Sequence, residues 1–506
     1  MCHERDWQET GDRFYLIYMG NKMAGLSKSK LIAHRQCPKR LWLQTYKPEL
    51  QEIDSGQTSR MDAGNLVGDI ARSLHPTGIL IESGSLSQDL IDTKTLVSAK
   101  RRKPLFEATF KASNVLVKVD LLLPVRNGYK LGEVKSSTKV KPYYYDDSAI
   151  QAWVVKKCGL SIIQTNLVHI CNRFVYPGND SYNGLFTHAN INPEILELEV
   201  QVPKWIKAAQ KTLKGVEPRI DPGTQCNQPF DCPFINYCSP AKKPAKYPVN
   251  ILPRSSKLIS ELEEAGYKDL RKVPKKKLNN SRHLRIWNVT KKGKYYLDPK
   301  AKKLLDDFSW PRYYIDFETI SLAVPVWKGT RPYQKIPFQW SCHIERKDKS
   351  LKHYEFLADG NNDPRREFAE TLIKAVKKRG PVFVYNAGFE NMIMRELASD
   401  FPEYEKQLKA IINRVVDLLP IGRDYYYHPN MMGSWSIKKV LPTIAPELDY
   451  SQLDVADGGM AMEAFAEIMH ADTPPKAKLK LQDDLLTYCE RDTLAMVKIA
   501  HFFQEN

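Results

Sequence analysis

An Asn-Gly dipeptide between two β-prone runs is the feature that most restricts how this chain can fold. Residues 114–138 read NVLVKVDLLLPVRNGYKLGEVKSST, with Asn127-Gly128 near the middle. Asn-Gly is suited to the two positive-φ positions of a type I′ turn, so the expectation is a β-hairpin with a two-residue loop. That loop pairs Arg126 with Tyr129 and, counting outward, Asp120 with Lys135. Glu133 then lies diagonal to Asp120 on the same face, because side chains alternate with period two. Three charged groups converge on one face of a largely apolar hairpin. Burying them unpaired costs several kcal/mol. A metal ion between the two carboxylates would offset that cost, with Lys135 beside an attacking water. An exposed Asp–Lys cross-strand pair is the simpler reading of the same residues.

Asp120, a dozen residues and then Glu133-x-Lys135 resembles the core of the PD-(D/E)XK nucleases. The resemblance implies that Asp120 and Glu133 bind Mg²⁺ or Mn²⁺, while Lys135 positions water and stabilises charge at the phosphate. Downstream, DDSAIQAWVV sets Gln151 on an expected helix, similar to the Gln-containing motif of RecB-type nucleases. Val155 stands where that motif carries tyrosine, and Asp69 where such nucleases often carry an upstream histidine. Glu107, in FEATF, is either a further carboxylate or half of a surface ion pair. Tyr143–Tyr145 reads as a Tyr-rich strand packing on the core, with base stacking as the alternative.

The chain has nine cysteines, and its start, MCHERDWQETGDRF, is polar and acidic rather than a signal peptide. Met19 and Met23 are alternative starts, so the first domain is read from about Gly25. The expectation is a cytoplasmic protein in which clustered thiols bind metal rather than form disulfides. Cys226, Cys232 and Cys238 follow one another at x5 spacing, and Cys37 precedes Pro38 far upstream. Four thiolates suit a [4Fe–4S] cluster or a tetrahedral zinc ion. One cysteine before the nuclease core and three after it resembles the iron–sulfur staple of AddB-like and CRISPR-adaptation RecB-type exonucleases. The resemblance implies a structural [4Fe–4S] cluster on Cys37, Cys226, Cys232 and Cys238, with zinc as the alternative. Cys158, Cys171, Cys342 and Cys489 read as core residues, and Cys2 as non-ligating.

A second acidic constellation lies toward the C-terminus. Asp316 and Glu318, in RYYIDFETI, point to one face of an expected strand. PVFVYNAGFENMIMREL reads as strand, turn and helix, and presents Glu390 four residues after Asn386. Leu481, Leu485, Tyr488, Asp492, Ala495 and Ile499 form one stripe of a helix. Asp492 interrupts that apolar stripe, and a buried aspartate needs a partner such as a metal. In this order the pieces resemble the DEDD exonucleases of the DnaQ-like, RNase H-related fold. The resemblance implies metal binding by Asp316, Glu318 and Asp492, with Glu390 in the place of the second-motif aspartate. Tyr488 would orient the attacking water, as in the tyrosine subtype. Asp417 reads as a helix cap, with an extra site carboxylate as the alternative.

The charge balance is uneven. The whole chain carries +17, yet residues 1–240 hold +7, residues 241–303 hold +14 and residues 304–506 hold −4. The middle stretch reads either as a solvated connector or as a small helix–turn–helix unit, with Gly266 ending its first helix and Lys275, Lys276 and Lys277 gripping phosphates. No stretch approaches the ~18 uninterrupted apolar residues of a spanning helix, so a membrane partner is not expected.

The expected architecture is α/β multidomain: a PD-(D/E)XK restriction-endonuclease-like core (25–240), a basic helical connector (241–305) and an RNase H-like, DnaQ-like domain (306–506). This resembles a bacterial fusion family. It implies a metal-dependent nuclease processing DNA ends, for instance in repair, with DNA favoured over RNA and no protein partner legible. The competing expectation is a non-catalytic or singly active nucleic-acid-binding scaffold.

Overall fold

The computed structural model describes residues 25–52, 57–239 and 245–506. The protein is α/β and divides into two compact units. One takes in the described residues as far as 239 and Ala323–Pro332, and the other takes in residues 245–322 and Tyr333–Asn506. No helix among the described residues is long and apolar enough to cross a membrane.

The first unit is built on a seven-stranded mixed sheet. Its order is Ile79–Leu80, Leu105–Ala112, Val115–Val125, Gly128–Lys135, Ile162–Ile170 and Phe186–Asn190, with Leu26–Ser27 parallel to the start of Val115–Val125. The Tyr143–Lys157 helix packs Ala149, Ile150, Val154 and Val155 into a core with Val117, Val119 and Leu131. Truncating Ile150 or Leu131 to alanine costs about 2–5 kcal/mol.

The hairpin forms in a different register from the one expected. Val125 pairs with Gly128 and Leu121 with Gly132, so the turn residues are Arg126 and Asn127. The neighbouring strand is the reason. Tyr129 N–H donates to the Ser161 carbonyl at 2.9 Å, and a Cβ on Gly128 would lie 2.3 Å from that same oxygen. Gly128 therefore serves a close backbone approach inside the strand. The shift is two residues in the pair sum, which brings Asp120 level with Glu133 and makes Lys135 the diagonal neighbour. Tyr143–Tyr145 opens a helix rather than a strand. Pro142, at φ −52°, is preset for that helix start. Tyr144 and Tyr145 pack on the core, while Tyr143 meets Phe230 edge-on at 4.8 Å.

The second unit has a five-stranded sheet in the order Leu351–Leu357, Ile336–Glu345, Arg312–Ile320, Val382–Val384 and Val415–Asp417. The first three strands are antiparallel and the last two run parallel to Arg312–Ile320. The long Pro475–Glu505 helix buries Leu485, Tyr488, Asp492, Ala495 and Ile499 of the stripe read from the sequence and leaves Leu481 half-buried. The basic stretch belongs to this unit. Its helices Ser256–Glu264 and Ser281–Lys292 flank short turns, Gly266 has φ +82°, and Val249, Ile251, Leu270 and Ile286 enter the same core as Tyr426 and Met431.

Candidate functional site

Two clusters of buried charge stand out, one in each unit. In the first unit a cleft of about 530 Å³ is lined by Glu107, Asp120, Glu133 and Lys135 from three adjacent strands. The Asp120 carboxylate accepts the Val134 N–H at 2.7 Å. Glu133 accepts from three donors: Lys135 Nζ at 2.6 Å and Lys28 Nζ at 2.8 Å on Oε1, and the Gln151 amide on Oε2. Asp147 completes the group, 2.8 Å from Lys135 Nζ and 3.5 Å from Lys28 Nζ.

These contacts set opposite protonation tendencies on the two carboxylates. Burial and the neighbouring Glu133 charge push Asp120 up to about 7. Burial acts to raise Glu133 too, but Lys135 and Lys28 outweigh it and hold Glu133 below the usual carboxylate range. Burial opposes the charge on Lys28 and Lys135, yet Glu133 and Asp147 outweigh it and raise both. Asp120 is therefore the group most in need of a further cation, and the cleft in front of it has room for a hydrated one.

Of the other residues read from the sequence, Gln151 reaches the site and Val155 is buried in the core. Glu107 lines the cleft at φ +54° and lies 3.7 Å from Arg72. Asp69 pairs with Arg72 on an exposed helix face. Lys28 and Asp147 are new. Asp147 is four residues before Gln151 on one helix, so both face the same way, and that spacing was visible in the sequence. Lys28 carried no such signal.

Cys37, Cys226, Cys232 and Cys238 line one small pocket beside Arg40 and Phe234. Cys226 and Cys232 are buried, and burial raises the Cys232 and Cys238 thiols. Of the cysteines read as core, Cys342 and Cys489 are buried and Cys171 is half-buried, but Cys158 is exposed. It caps the C-terminal end of the Tyr143–Lys157 helix, past the last core-facing turn. Cys2 lies outside the described residues.

In the second unit one carboxylate oxygen each from Asp316, Glu318 and Asp492 lies within 4.8 Å of the others. Strand alternation places the first two together, and the C-terminal helix brings the third across the sheet. Burial and the Asp492 charge raise Asp316 well above the carboxylate range and push Glu318 up to about 8. Burial likewise raises Asp492, against the hydroxyl of Tyr450, which donates to its Oδ1. Glu390 lies outside this tight group, yet its charge adds to the rise at Asp316 and Glu318. It is buried, burial pushes it up to about 8, and its Oε2 has no hydrogen-bond partner. Three crowded acids and an orphaned fourth are what a cation of charge two would satisfy.

Tyr488 sits beside the group, its hydroxyl accepting from Lys438 Nζ at 3.1 Å, while Lys438 also donates to the Ala456 carbonyl at 2.7 Å. Lys438 and Tyr450 were not legible in the sequence, since no periodicity links them to Asp492. Asp417 is a cap: it accepts from Leu419 N–H at 2.9 Å. It also accepts from the backbone of Asn386 and Ala387 at 2.9 and 3.1 Å, fixing the turn that leads into the Glu390 helix. Lys275, Lys276 and Lys277 form an exposed 3-10 turn, with Lys277 Nζ 5.9 Å from the centre of the half-buried Tyr267 ring.

Residues 313–436, which carry Asp316, Glu318 and Glu390, match a family model described as a domain of unknown function (DUF2779). The chain is also similar to a Mycoplasma pneumoniae protein named as an uncharacterized homolog of MG366, 30% identical over 243 residues, which are 44% of this chain and 36% of that one. An uncharacterized Ureaplasma parvum protein, UU173, is 24% identical over 242 residues, 44% of this chain and 35% of its own. The chain spans little more than a third of the length of the curated relatives it matches.

Proposed function

We propose that the protein is a metal-dependent nuclease with two hydrolytic centres, a PD-(D/E)XK-like one in the first unit and a DnaQ-like, RNase H-related one in the second. The observation that carries this reading is the set of carboxylates of Asp316, Glu318 and Asp492 within 4.8 Å, raised by burial and mutual repulsion. Mg²⁺ or Mn²⁺, when bound, neutralises the scissile phosphate and lowers the pKa of an attacking water. Asp316, Glu318 and Asp492 would hold the ions, and Glu390 fits as a further oxygen donor at their edge. Tyr488 would orient the water, with Lys438 fixing the direction of its hydroxyl. In the first unit Asp120 and Glu133 would hold a metal, and Lys135, clamped by Glu133 and Asp147, would meet the water and the phosphate. Gln151 keeps the Glu133 carboxylate turned toward the cleft.

The four-cysteine pocket fits a structural metal group. Tetrahedral zinc sets its sulfurs about 3.8 Å apart, from a Zn–S distance of about 2.3 Å. Four thiols lining one pocket suit a [4Fe–4S] cluster, with zinc as the alternative. The substrate class is nucleic acid, DNA before RNA, with the exposed lysines at 275–277 contributing backbone contacts.

The test incubates end-labelled single-stranded and duplex DNA and RNA with the full chain and Mg²⁺ or Mn²⁺. Wild type should cleave at least one substrate, and Lys135→Ala and Asp316→Ala should each remove part of the products. Absence of cleavage on every substrate refutes the reading. Binding without cleavage would favour the scaffold alternative.

A further inference from the structure

We infer that Lys28 is a positioning residue of the first centre, held there from the four-cysteine pocket through the helix Lys28–Gln36. The activity arm of this inference rests on the nuclease reading above, and the mechanical link rests on the four-cysteine pocket holding a metal group.

The two ends of that helix lie at two different sites. Ser27 caps it, accepting the Lys30 N–H at 3.2 Å, and Lys28 is its first residue. Nine residues span about 13 Å. At the near end Lys28 Nζ lies 2.8 Å from Glu133 Oε1 and 3.5 Å from Asp147 Oδ1. At the far end stands Cys37, which closes the helix by donating its N–H to Ala33 O and lines the pocket of Cys226, Cys232 and Cys238. Gln36 ties that end down, its amide donating to the carbonyls of Gln225 at 2.8 Å and Phe230 at 2.6 Å, both in the cysteine-bearing loop. Between the ends, Leu31 and Ala33 are buried, and Arg35 meets Asp146 at 3.1 Å. Asp146 adjoins Asp147, so the helix grips the Gln151 helix at two consecutive positions. A close-packed helix moves as a body. Leu26 and Ser27 pair with Val115 and Leu116 just before Lys28, so releasing the cysteine end lets the helix pivot about that strand and shifts Lys28 against Glu133 and Asp147.

The shift would matter because the charges are shared. Lys28 and Lys135 both contact Glu133 and Asp147, two ammonium groups between two carboxylates. With Lys28 withdrawn, both acids compete for Lys135 alone, and its direction toward the cleft is no longer fixed. Lys28 thus acts through Lys135 and Glu133 rather than on the substrate.

The first experiment measures acylation of individual lysines in the full chain by an N-hydroxysuccinimide ester, read by mass spectrometry. In the protein as isolated, Lys28 should react about tenfold or more slowly than the exposed Lys207, because its side chain is only 19% exposed and its Nζ is held between Glu133 and Asp147. In Cys232→Ser, whose substituted residue is not on the helix, Lys28 should react about fivefold faster, while hydrogen exchange in Val115–Val125 and Gly128–Lys135 stays unchanged. An unchanged Lys28 rate overturns the link. A simultaneous loss of strand protection also overturns it, in favour of a general staple. The second experiment follows cleavage of end-labelled single-stranded DNA with Mn²⁺ in an Asp316→Asn background. Lys28→Met should lower kcat about a hundredfold with little change in KM, and Lys28→Arg should restore part of it. Full activity in Lys28→Met overturns the positioning role. If the parent itself does not cleave, the nuclease reading of this centre fails, and the acylation result still decides the link.

Discussion

Replacing Asp492 by asparagine should make the metal-free second unit more stable while removing its response to Mn²⁺. The substitution keeps the shape and leaves an oxygen to accept from Tyr450, but deletes the charge that most raises its carboxylate neighbours Asp316 and Glu318. Two ionised carboxylates 4.8 Å apart, the widest spacing in this group, repel by about 3.5 kcal/mol at an effective dielectric of ~20. Proton uptake caps the penalty. Burial and Asp492 lift Glu318 from an ordinary 4.5 to about 8, a ceiling of about 5 kcal/mol. Lys438 already offsets part of this. A gain of about 1–3 kcal/mol at pH 8 in chelator is therefore expected for the variant.

The pH dependence has a definite sign. Glu318 is raised in the folded state, so its contribution is complete below the ordinary 4.5 and is lost as pH rises through about 8. Wild type in chelator should weaken between pH 5 and 8, and Asp492→Asn should weaken less. Saturating Mn²⁺ reverses the order: wild type gains about 2.7 kcal/mol at a hundred times Kd, and the variant gains little. Urea titration followed by hydrogen exchange in Arg312–Ile320 reads the second unit alone. A variant less stable than wild type in chelator, or one that keeps the full Mn²⁺ gain, refutes the reasoning.

Gly433→Ala should destabilise the second unit by about 3 kcal/mol or more, because Gly433 has φ +80° and a Cβ there would lie 1.7 Å from the Ile251 carbonyl oxygen; protease sensitivity across 245–280 should rise with the loss in urea midpoint. His343, held down to about 4 by burial and then by His353, is neutral when folded, so its stability contribution is present above 6.5 and drains as pH falls toward 4. The loss approaches about 3 kcal/mol, and parallel wild-type and His343→Gln stability curves between pH 4 and 6.5 would contradict it. Changing Lys275, Lys276 and Lys277 to glutamine should weaken DNA binding and reduce the log–log salt slope by about 2–3. An unchanged slope would remove the turn from the interface.

Local periodicity made part of each site legible and tertiary pairing hid the rest. Asp316 and Glu318 share a face because a strand alternates, and the stripe containing Tyr488 and Asp492 follows from 3.6 residues per turn. The hairpin shows why such readings tolerate error. Its register differs from expectation, but by an even step, so Asp120, Glu133 and Lys135 still share a face while their partners change. A slip of one residue would have separated them. Lys28 meets Glu133 across 105 residues of chain, and Tyr450 meets Asp492 across 42, distances at which a single sequence carries no pattern. Tyr143–Tyr145 failed differently: β propensity was read locally, and the proline before them together with the helical face after them decided the outcome.

The basic stretch carries the wider lesson. Its net +14 left two readings open, a solvated connector or a small helix–turn–helix unit gripping phosphates, and both weighed mainly the residues that face water. Charge is a property of the exposed positions and is nearly silent on which residues build a core. Between the lysines, Val249, Ile251, Leu252, Leu262, Leu270, Val273 and Leu278 are all buried against the second unit. The same segment therefore anchors by its apolar positions and displays lysines by its polar ones. If Gly433→Ala loosens it, DNA affinity should fall together with stability, because the lysines would then be displayed from an unanchored loop and ordering that loop would be charged against binding. Loss of stability with unaltered affinity and salt slope would separate the two roles and leave the segment as scaffold alone.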